Sequence, residues 1–112
     1  MNFNKTYEFS KDFKRLSKKY KSLDDDLIEF KKVISKFPLG SGKHFVVIIE
    51  KENVKIIKSR LFCRYLKGSS LRIIYAYCEK KHRVEFIQLY FKGDKENEDH
   101  VRIKNYLRNF KQ

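Results

Sequence analysis

The segment from Val54 to Lys92 constrains the fold most, because three β-rich runs follow one another there with only short polar breaks between them. Such closely spaced runs predict neighbouring antiparallel strands of a single sheet. Between Glu52 and Glu79 the chain contains no acidic residue and six basic ones. The basic residues are Lys55, Lys58, Arg60, Arg64, Lys67 and Arg72. We therefore expect a curved antiparallel sheet with a cationic face that suits a polyanion.

The distribution of charge along the chain favours a nucleic-acid-binding surface. The 112 residues carry a formal net charge of +13. Residues 43–92 contain 12 of the 27 Lys and Arg residues but only four of the 14 acidic residues, so the excess lies in the predicted sheet and not in a tail. An anionic membrane surface or an acidic protein partner would use the same charge. The length predicts one domain spanning residues 1–112.

Several classes of protein are disfavoured by what the sequence lacks. Cys63 and Cys78 lie in predicted strands without metal-type spacing, so we expect buried, reduced thiols. The N-terminus has no apolar signal-peptide core, and no apolar run reaches the length of a membrane span. His44, His82 and His100 are scattered along the chain. We therefore expect a cytoplasmic protein without a membrane segment, a metal or a cofactor.

Helical patterns flank the predicted sheet on both sides. Apolar residues recur at helical spacing in residues 9–20, with Ser10 as the predicted N-cap, and in residues 23–37, with Ser22 as the predicted N-cap. The two helices have almost no linker between them, which predicts a hairpin that covers one face of the sheet. A short edge strand is expected before them. Asn97 is expected to cap a final helix, with His100 on its inner stripe.

The predicted strand from Val54 to Leu66 carries a candidate RNA-binding row. Period-two alternation places Lys58, Arg60, Phe62 and Arg64 on the same face. Cations interleaved with an aromatic ring suit phosphate contact combined with base stacking. A second interpretation is also open, since Lys and Arg on an exposed sheet face also keep a protein soluble.

The chemistry of RNA cleavage without a metal selects further candidates. The reaction needs a base for the 2′-OH proton, a cation for the phosphate and an acid for the leaving 5′ oxygen. Arg72 is a candidate phosphate-binding residue, since arginine does not lose its proton. Strict alternation in the last predicted strand places Tyr90 and Lys92 on the same face as Val84 and Phe86. Tyr90 and Lys92 are therefore candidate proton-transfer groups.

The order of the predicted elements and three segments resemble the RelE/ParE superfamily of type II toxins, in particular its RelE-like and HigB-like mRNA interferases. The segments are FSKDFKRLSKKYKSLDDDL at residues 9–27, KIIKSRLFCRYLKGSSLRIIYAY at residues 55–77 and FIQLYFKGDKENEDHVRIKNYL at residues 86–107. The resemblance implies an α+β fold in which an N-terminal helical hairpin packs on a curved antiparallel β-sheet, followed by a C-terminal helix.

The resemblance also implies a toxin that enters the ribosome, cuts the bound mRNA and is held inactive by a cognate antitoxin. Its partners would be that antitoxin, the ribosome and mRNA, with no cofactor. Arg72 matches the phosphate-binding Arg of the family, and Lys92 falls near the basic residues that end the last strand. The functional lysines of the family fall near positions that are flanked here by Arg60, Arg64 and Lys67. A ParE-like inhibitor of DNA gyrase and an inactive nucleic-acid-binding homologue are the alternatives.

Overall fold

The computed structural model describes residues 1–40, 42–67 and 70–110. Its elements in chain order are β1 (Asn2–Lys5), α1 (Tyr7–Lys19), α2 (Leu23–Lys36), β2 (Phe45–Glu50), β3 (Lys55–Phe62), a 3₁₀ turn (Arg64–Leu66), β4 (Ser70–Cys78), β5 (Arg83–Phe91) and α3 (His100–Arg108). Ser41, before β2, and Gly68 and Ser69, in the first of the predicted polar breaks, lie outside the described residues. The architecture is α+β, as predicted.

A single five-stranded sheet in the order β1-β5-β4-β3-β2 organises the molecule. Strands β2 to β5 pair antiparallel in chain order, as expected from the short breaks between them. The predicted edge strand exists as β1, but it pairs parallel with β5, so the prediction of an all-antiparallel sheet is wrong at this edge. A parallel neighbour requires a long connection, and everything from α1 to β4 supplies it. The curvature of the sheet stays a prediction.

Helices α1 and α2 form the predicted hairpin and cover one face of the sheet. Their buried apolar side chains meet those of the sheet in one cluster that includes Phe9, Leu16, Phe30, Ile34, Ile57, Leu61, Ile73, Tyr75, Phe86 and Leu89. The Tyr75 hydroxyl crosses this layer and donates to the Pro38 carbonyl at 2.7 Å. Because the helical stripes match the apolar face of the sheet, this part of the fold follows from periodicity in the sequence.

The opposite face of the sheet is covered over part of its area by α3. Ile103 is buried there against a second apolar cluster that includes Ile56, Ile74 and Ile87. The prediction that His100 lies on the inner stripe of this helix is wrong, because its side chain is 69% exposed. The basic part of this face lies beyond the area that α3 covers, which leaves Arg60 exposed.

Two predicted N-caps are wrong, because a neighbouring residue has better geometry. Thr6 caps α1, and its Oγ1 accepts a hydrogen bond from Phe9 N at 3.1 Å, so Ser10 lies within the helix. Asp99, rather than Asn97, caps α3 and accepts from the backbone N of the third residue of that helix at 3.0 Å. Both caps follow the residue preferences of helix N-termini.

Ser22 is the N-cap residue of α2, but its side chain makes no capping hydrogen bond. Its Oγ donates to Asp26 Oδ2 at 2.7 Å and accepts from Tyr65 N at 3.0 Å. The predicted use of the hydroxyl as a helix cap is therefore wrong, since a tertiary partner takes the acceptor. The pair instead ties the start of α2 to the 3₁₀ turn that follows β3.

A β-bulge in β5 changes which side chains face the helical hairpin. Phe86 and Gln88 pair with consecutive residues of β4, so Ile87 is an extra residue on β5. Phe86 and Leu89 consequently both face the helical hairpin, although they are three positions apart and strict alternation would put them on opposite faces. Tyr90 turns to the α3 face. The prediction of strict alternation along this strand is wrong, and the bulge is what places Tyr90 on the basic face.

The edge of β5 beyond β1 is covered by side chains instead of a strand. Strand β1 pairs with β5 only as far as Phe86. Further along, buried Asp12 accepts from Leu89 N at 3.0 Å and from Arg102 Nη1 at 2.7 Å through its Oδ2. Arg102 Nη1 also donates to the Ile87 carbonyl at 3.0 Å. These contacts join α1, β5 and α3, and no sequence pattern predicted them.

Candidate functional site

A row of cationic and aromatic side chains runs across the sheet. Arg60 of β3 pairs with Arg72 of β4, and Arg72 pairs with Tyr90 of β5. The carbonyl of His44, just before β2, accepts a hydrogen bond from Arg60 N at 3.3 Å. Neighbouring strands lie about 4.8 Å apart. His44, Arg60, Arg72 and Tyr90 therefore form one line that runs across the sheet, perpendicular to the strands.

An open cleft of about 510 Å³ lies over this row. Five cations line it, namely Lys43, Lys58, Arg60, Arg72 and Lys92. His44 and Glu98 contribute its other titratable groups. The structure thus brings together four of the predicted site residues, Lys58, Arg60, Arg72 and Lys92. The β3–β4–β5 register achieves this convergence, because the four residues are up to 34 positions apart in the chain.

The two arginines, Lys92 and Lys43 are the cations available to a bound anion. Within the part of the chain that the structure describes, no carboxylate lies within ion-pair distance of any of these four residues. Arg72 Nη1 donates to Ser70 Oγ at 2.9 Å, which orients its guanidinium. Like charges directly opposite one another destabilise a sheet, and an anion between them would relieve that repulsion.

Lys58 differs from these cations because it is already paired. Its Nζ donates to Glu98 Oε1 at 2.8 Å. This hydrogen bond raises the pKa of Lys58, against the opposing effect of partial burial. Burial would raise the pKa of Glu98, but the hydrogen bond from Lys58 and the neighbouring charges outweigh it, so the pKa of Glu98 is lowered. Both groups therefore stay charged at neutral pH, and Lys58 is a poor proton acceptor.

Tyr90 lies beneath the cleft and does not line it. It is 3% exposed, and its hydroxyl has no hydrogen-bond partner among the described residues. Burial raises the pKa of Tyr90, and the nearby Lys58 ammonium opposes this effect only in part. The phenol therefore stays protonated at neutral pH. Its role in proton transfer stays a prediction. Because the phenol is protonated at neutral pH, that role could only be to donate a proton.

Three predicted RNA-binding residues do not line the cleft. Phe62 is 66% exposed, and its ring packs edge-on against His44 with 5.6 Å between the centroids. Strand β3 ends at Phe62, so the predicted row does not continue to Arg64. Arg64 instead turns towards α2, where its Nε lies 3.8 Å from Asp26 Oδ1. Lys67 is exposed after the 3₁₀ turn, in a left-handed conformation with φ of 44°.

Sequence reasoning missed three titratable residues of the cleft, Lys43, His44 and Glu98. His44 precedes the apolar run of β2, and a register shift between Val47 and Ile49, rather than the β2–β3 turn alone, places it opposite Arg60. The sequence pattern therefore did not show that His44 and Arg60 are neighbours. Glu98 directly follows the predicted cap Asn97, and its contact with Lys58 joins positions 40 residues apart, which no local pattern predicts.

The described residues give no support for a metal site or a membrane-spanning helix. Across residues 1–40, 42–67 and 70–110, no group of three or more His, Cys, Asp or Glu side chains is placed to hold a metal ion. Over the same ranges, no helix combines the length and apolar character needed to cross a membrane. Cys63 and Cys78 are buried and free, as predicted.

Comparison of the sequence with protein-family models and with curated proteins finds no match. Among solved structures, the fold matches one described as the crystal structure of the archaeal RelE–RelB complex from Pyrococcus horikoshii OT3. The TM-score is 0.62 at 17% sequence identity, and the match covers 82% of this chain and 94% of the other. At this identity the similarity concerns the fold alone. The chain therefore has a RelE-like fold, as its sequence resemblance predicts.

Proposed function

We propose that this protein is the toxin of a type II toxin–antitoxin pair and that it cuts mRNA on the ribosome, which inhibits translation. The observation that carries this proposal is the convergence of unneutralised Arg60, Arg72 and Lys92 in one cleft. Phosphodiester cleavage develops negative charge on the phosphate oxygens, and preorganised cations stabilise that charge in the transition state. The RelE-like fold supports the same class of activity.

Each cleft residue has a distinct role in this proposal. Arg72, oriented by Ser70, holds the scissile phosphate together with Arg60. Lys92 is an exposed ammonium at the end of β5 and protonates the leaving 5′ oxygen. Tyr90 supports the floor of the cleft as a neutral phenol.

The residues at the border of the cleft extend the proposed RNA contact. The exposed ring of Phe62 offers a stacking surface for a base beside the scissile phosphate. Arg64 and Lys67 are exposed near the end of β3 and contact flanking phosphates. Lys58 contributes less than the other cations, since Glu98 neutralises it.

The partners follow from the same charge distribution. The solved neighbour is a RelE–RelB complex, and by analogy a cognate antitoxin binds this chain. An acidic or amphipathic antitoxin segment would complement a protein with a net charge of +13. The ribosome presents the mRNA in the cytoplasm, and the proposed reaction uses only side chains of this chain.

The experiment is inducible expression in a bacterium, followed by mapping of mRNA 5′ ends with and without a translation inhibitor. The wild-type chain should arrest growth and produce cuts inside translated codons that disappear when translation is blocked. Arg72→Gln and Lys92→Gln should each reduce cutting by about 100-fold or more, since each removes charge stabilisation or a proton donor. Lys80→Gln, an exposed lysine in the turn between β4 and β5, is the matched control.

Copurification with the antitoxin separates loss of activity from loss of fold, because both cleft variants should retain that binding. Growth arrest with intact mRNA and failing DNA supercoiling would replace this proposal with gyrase inhibition. The absence of any arrest would leave a nucleic-acid-binding protein without activity.

A further inference from the structure

We propose that His44 is the general base of the cleavage reaction, an inference that rests on the proposed endoribonuclease function. His44 lines the cleft together with Arg60, Arg72 and Lys92. Its backbone carbonyl is bonded to Arg60 N at 3.3 Å, and its ring packs against Phe62 with an interplanar angle of 87°. Backbone and ring are thus both held at the β2 end of the row.

Several other titratable groups in or beneath the cleft are poor bases at neutral pH. Arginine does not lose its proton in proteins. The pKa of Lys58 is raised by its hydrogen bond to Glu98, and the pKa of Glu98 is lowered through the same contact. Burial raises the pKa of Tyr90. Histidine is the side chain whose ordinary ionisation falls between pH 5 and 8, and His44 is the histidine that lines this cleft.

The geometry places a base and an acid on opposite sides of the phosphate-binding arginines. His44 lies at the β2 end of the row, and Lys92 follows β5 at the other end. Arg60 of β3 and Arg72 of β4 are paired between them. In an in-line displacement, the attacking and leaving oxygens lie on opposite sides of the phosphorus. A phosphate held by the two arginines would therefore present one of these oxygens towards each end.

The proposed step balances in atoms and charge. The neutral imidazole of His44 takes the proton of the 2′-OH, and the O2′–P bond forms while the P–O5′ bond breaks. The ammonium of Lys92 donates a proton to the leaving O5′. The products are a 2′,3′-cyclic phosphate and a 5′-OH, and proton exchange with water restores both side chains.

Charged groups surround the imidazole from several elements. The cations that face the cleft are Lys43 beside it in the chain, Lys58 and Arg60 of β3, Arg72 of β4 and Lys92 after β5. Glu98 approaches from the loop before α3, and on the other side His44 borders a groove with Asp26 and Glu29 of α2 and with Arg64. A change in any of these charges would alter a pH profile, so the test variants leave all of them in place.

The test is single-turnover cleavage of mRNA on programmed ribosomes as a function of pH. The wild-type rate should rise with pH along an acidic limb, because a protonated imidazole cannot accept the 2′-OH proton. His44→Gln should lower the rate by about 100-fold or more and abolish this acidic limb. His82→Gln is the matched control, since His82 lies exposed in the turn between β4 and β5, and it should keep both the rate and the limb.

The outcomes separate the two proposals. If the wild-type chain cleaves and His44→Gln keeps the rate and the acidic limb, the role of His44 is overturned while the proposed function stands. If the wild-type chain does not cleave translated mRNA, the proposed function fails and the role of His44 fails with it.

A measurement on the wild-type chain removes dependence on the folding of the variant. The imidazole resonances of the three histidines are followed by NMR over the same pH range, with and without a 2′-O-methyl trinucleotide. Binding should shift the titration midpoint of His44 and leave that of His82 unchanged. If the trinucleotide binds in an Arg72-dependent manner and the His44 midpoint does not move, the inference is wrong.

Discussion

At the scale of single residues, Glu98 controls how much of the positive charge in the cleft a polyanion can use. Its carboxylate lies 2.8 Å from Lys58 Nζ and is only 11% exposed. Arg60, Arg72 and Lys92 have no comparable partner in the described part of the chain. The cleft therefore contains one neutralised lysine near α3 and, among the described residues, four cations without an ion-pair partner, Lys43 included.

Glu98→Gln should increase the affinity for RNA, because it frees Lys58 to contact a phosphate. We expect a 2′-O-methyl trinucleotide to bind about two- to fivefold more tightly, in line with the strength of partly exposed ion pairs. The slope of log affinity against log salt should steepen by about 0.7, the value for one further contact to a single strand.

The control for this prediction is Glu96→Gln, which removes the same charge from an exposed position in the same loop. Affinity and salt slope are measured by fluorescence titration at several salt concentrations. Equal gains in both variants would mean that total charge alone acts, and that the contact with Lys58 has no special effect.

At the scale of secondary-structure elements, the bulge in β5 and the Asp12–Arg102 ion pair together fix the position of β5. The extra residue Ile87 turns Tyr90 to the α3 face, and Arg102 binds the carbonyl of that same residue. Asp12 holds Leu89 N from α1. Strand β5, which carries Tyr90 and leads directly into Lys92, is thus fixed by helices from both faces of the sheet.

Asp12→Ala should lower the free energy of unfolding by about 3 kcal/mol, since it leaves Arg102 and the Leu89 amide without their shared acceptor in a largely buried position. Denaturant unfolding measures the change. Asp25→Ala, in the exposed first turn of α2, is the control and should change stability by less than about 1 kcal/mol. Similar losses in both variants would show that the pair with Arg102 adds no stability.

At the scale of the whole molecule, buried tyrosines make the fold sensitive to alkali. Burial raises the pKa of Tyr75 well above its ordinary value. Burial and the hydrogen bond to Glu85 do the same for Tyr106, whose hydroxyl donates to Glu85 Oε1 at 2.7 Å. Tyr75 lies against the helical hairpin and Tyr106 on α3, so both layers of the molecule contain such a group.

We expect the free energy of unfolding to decline above about pH 10. Tyrosines in the unfolded chain ionise near that pH, whereas the folded chain keeps these two protonated, so their stabilising contribution is complete below pH 10 and is lost as the pH rises. Each group contributes up to about 1.4 kcal/mol per pH unit in that range. Unfolding free energies from denaturant titrations between about pH 8 and 11.5 measure the slope.

Tyr106→Phe should make this slope shallower, because phenylalanine cannot ionise. Tyr7→Phe, at a position that is 74% exposed, should leave the slope unchanged. A wild-type stability that stays flat to pH 11.5 would contradict the argument.

Apolar periodicity and the count of charges were enough to predict the layers of this protein and its cationic character. The helical hairpin, the antiparallel run from β2 to β5 and the last helix follow from apolar periodicity, which is a local property of the chain. The concentration of cations in residues 43–92, with Arg72 and Lys92 among them, was also visible, because charge can be counted without coordinates. The resemblance to RelE-like toxins agreed with the observed fold.

The tertiary structure alone decided which of these side chains meet. The bulge at Ile87 reverses the facing of Tyr90, and β3 ends early enough to send Arg64 to α2. Register in the β2–β3 hairpin brings His44 to the arginines, and Glu98 reaches Lys58 over 40 positions. The physical reason is that bulges, strand ends and ion pairs depend on competition between distant partners for the same hydrogen bonds, whereas periodicity depends only on neighbours in the chain.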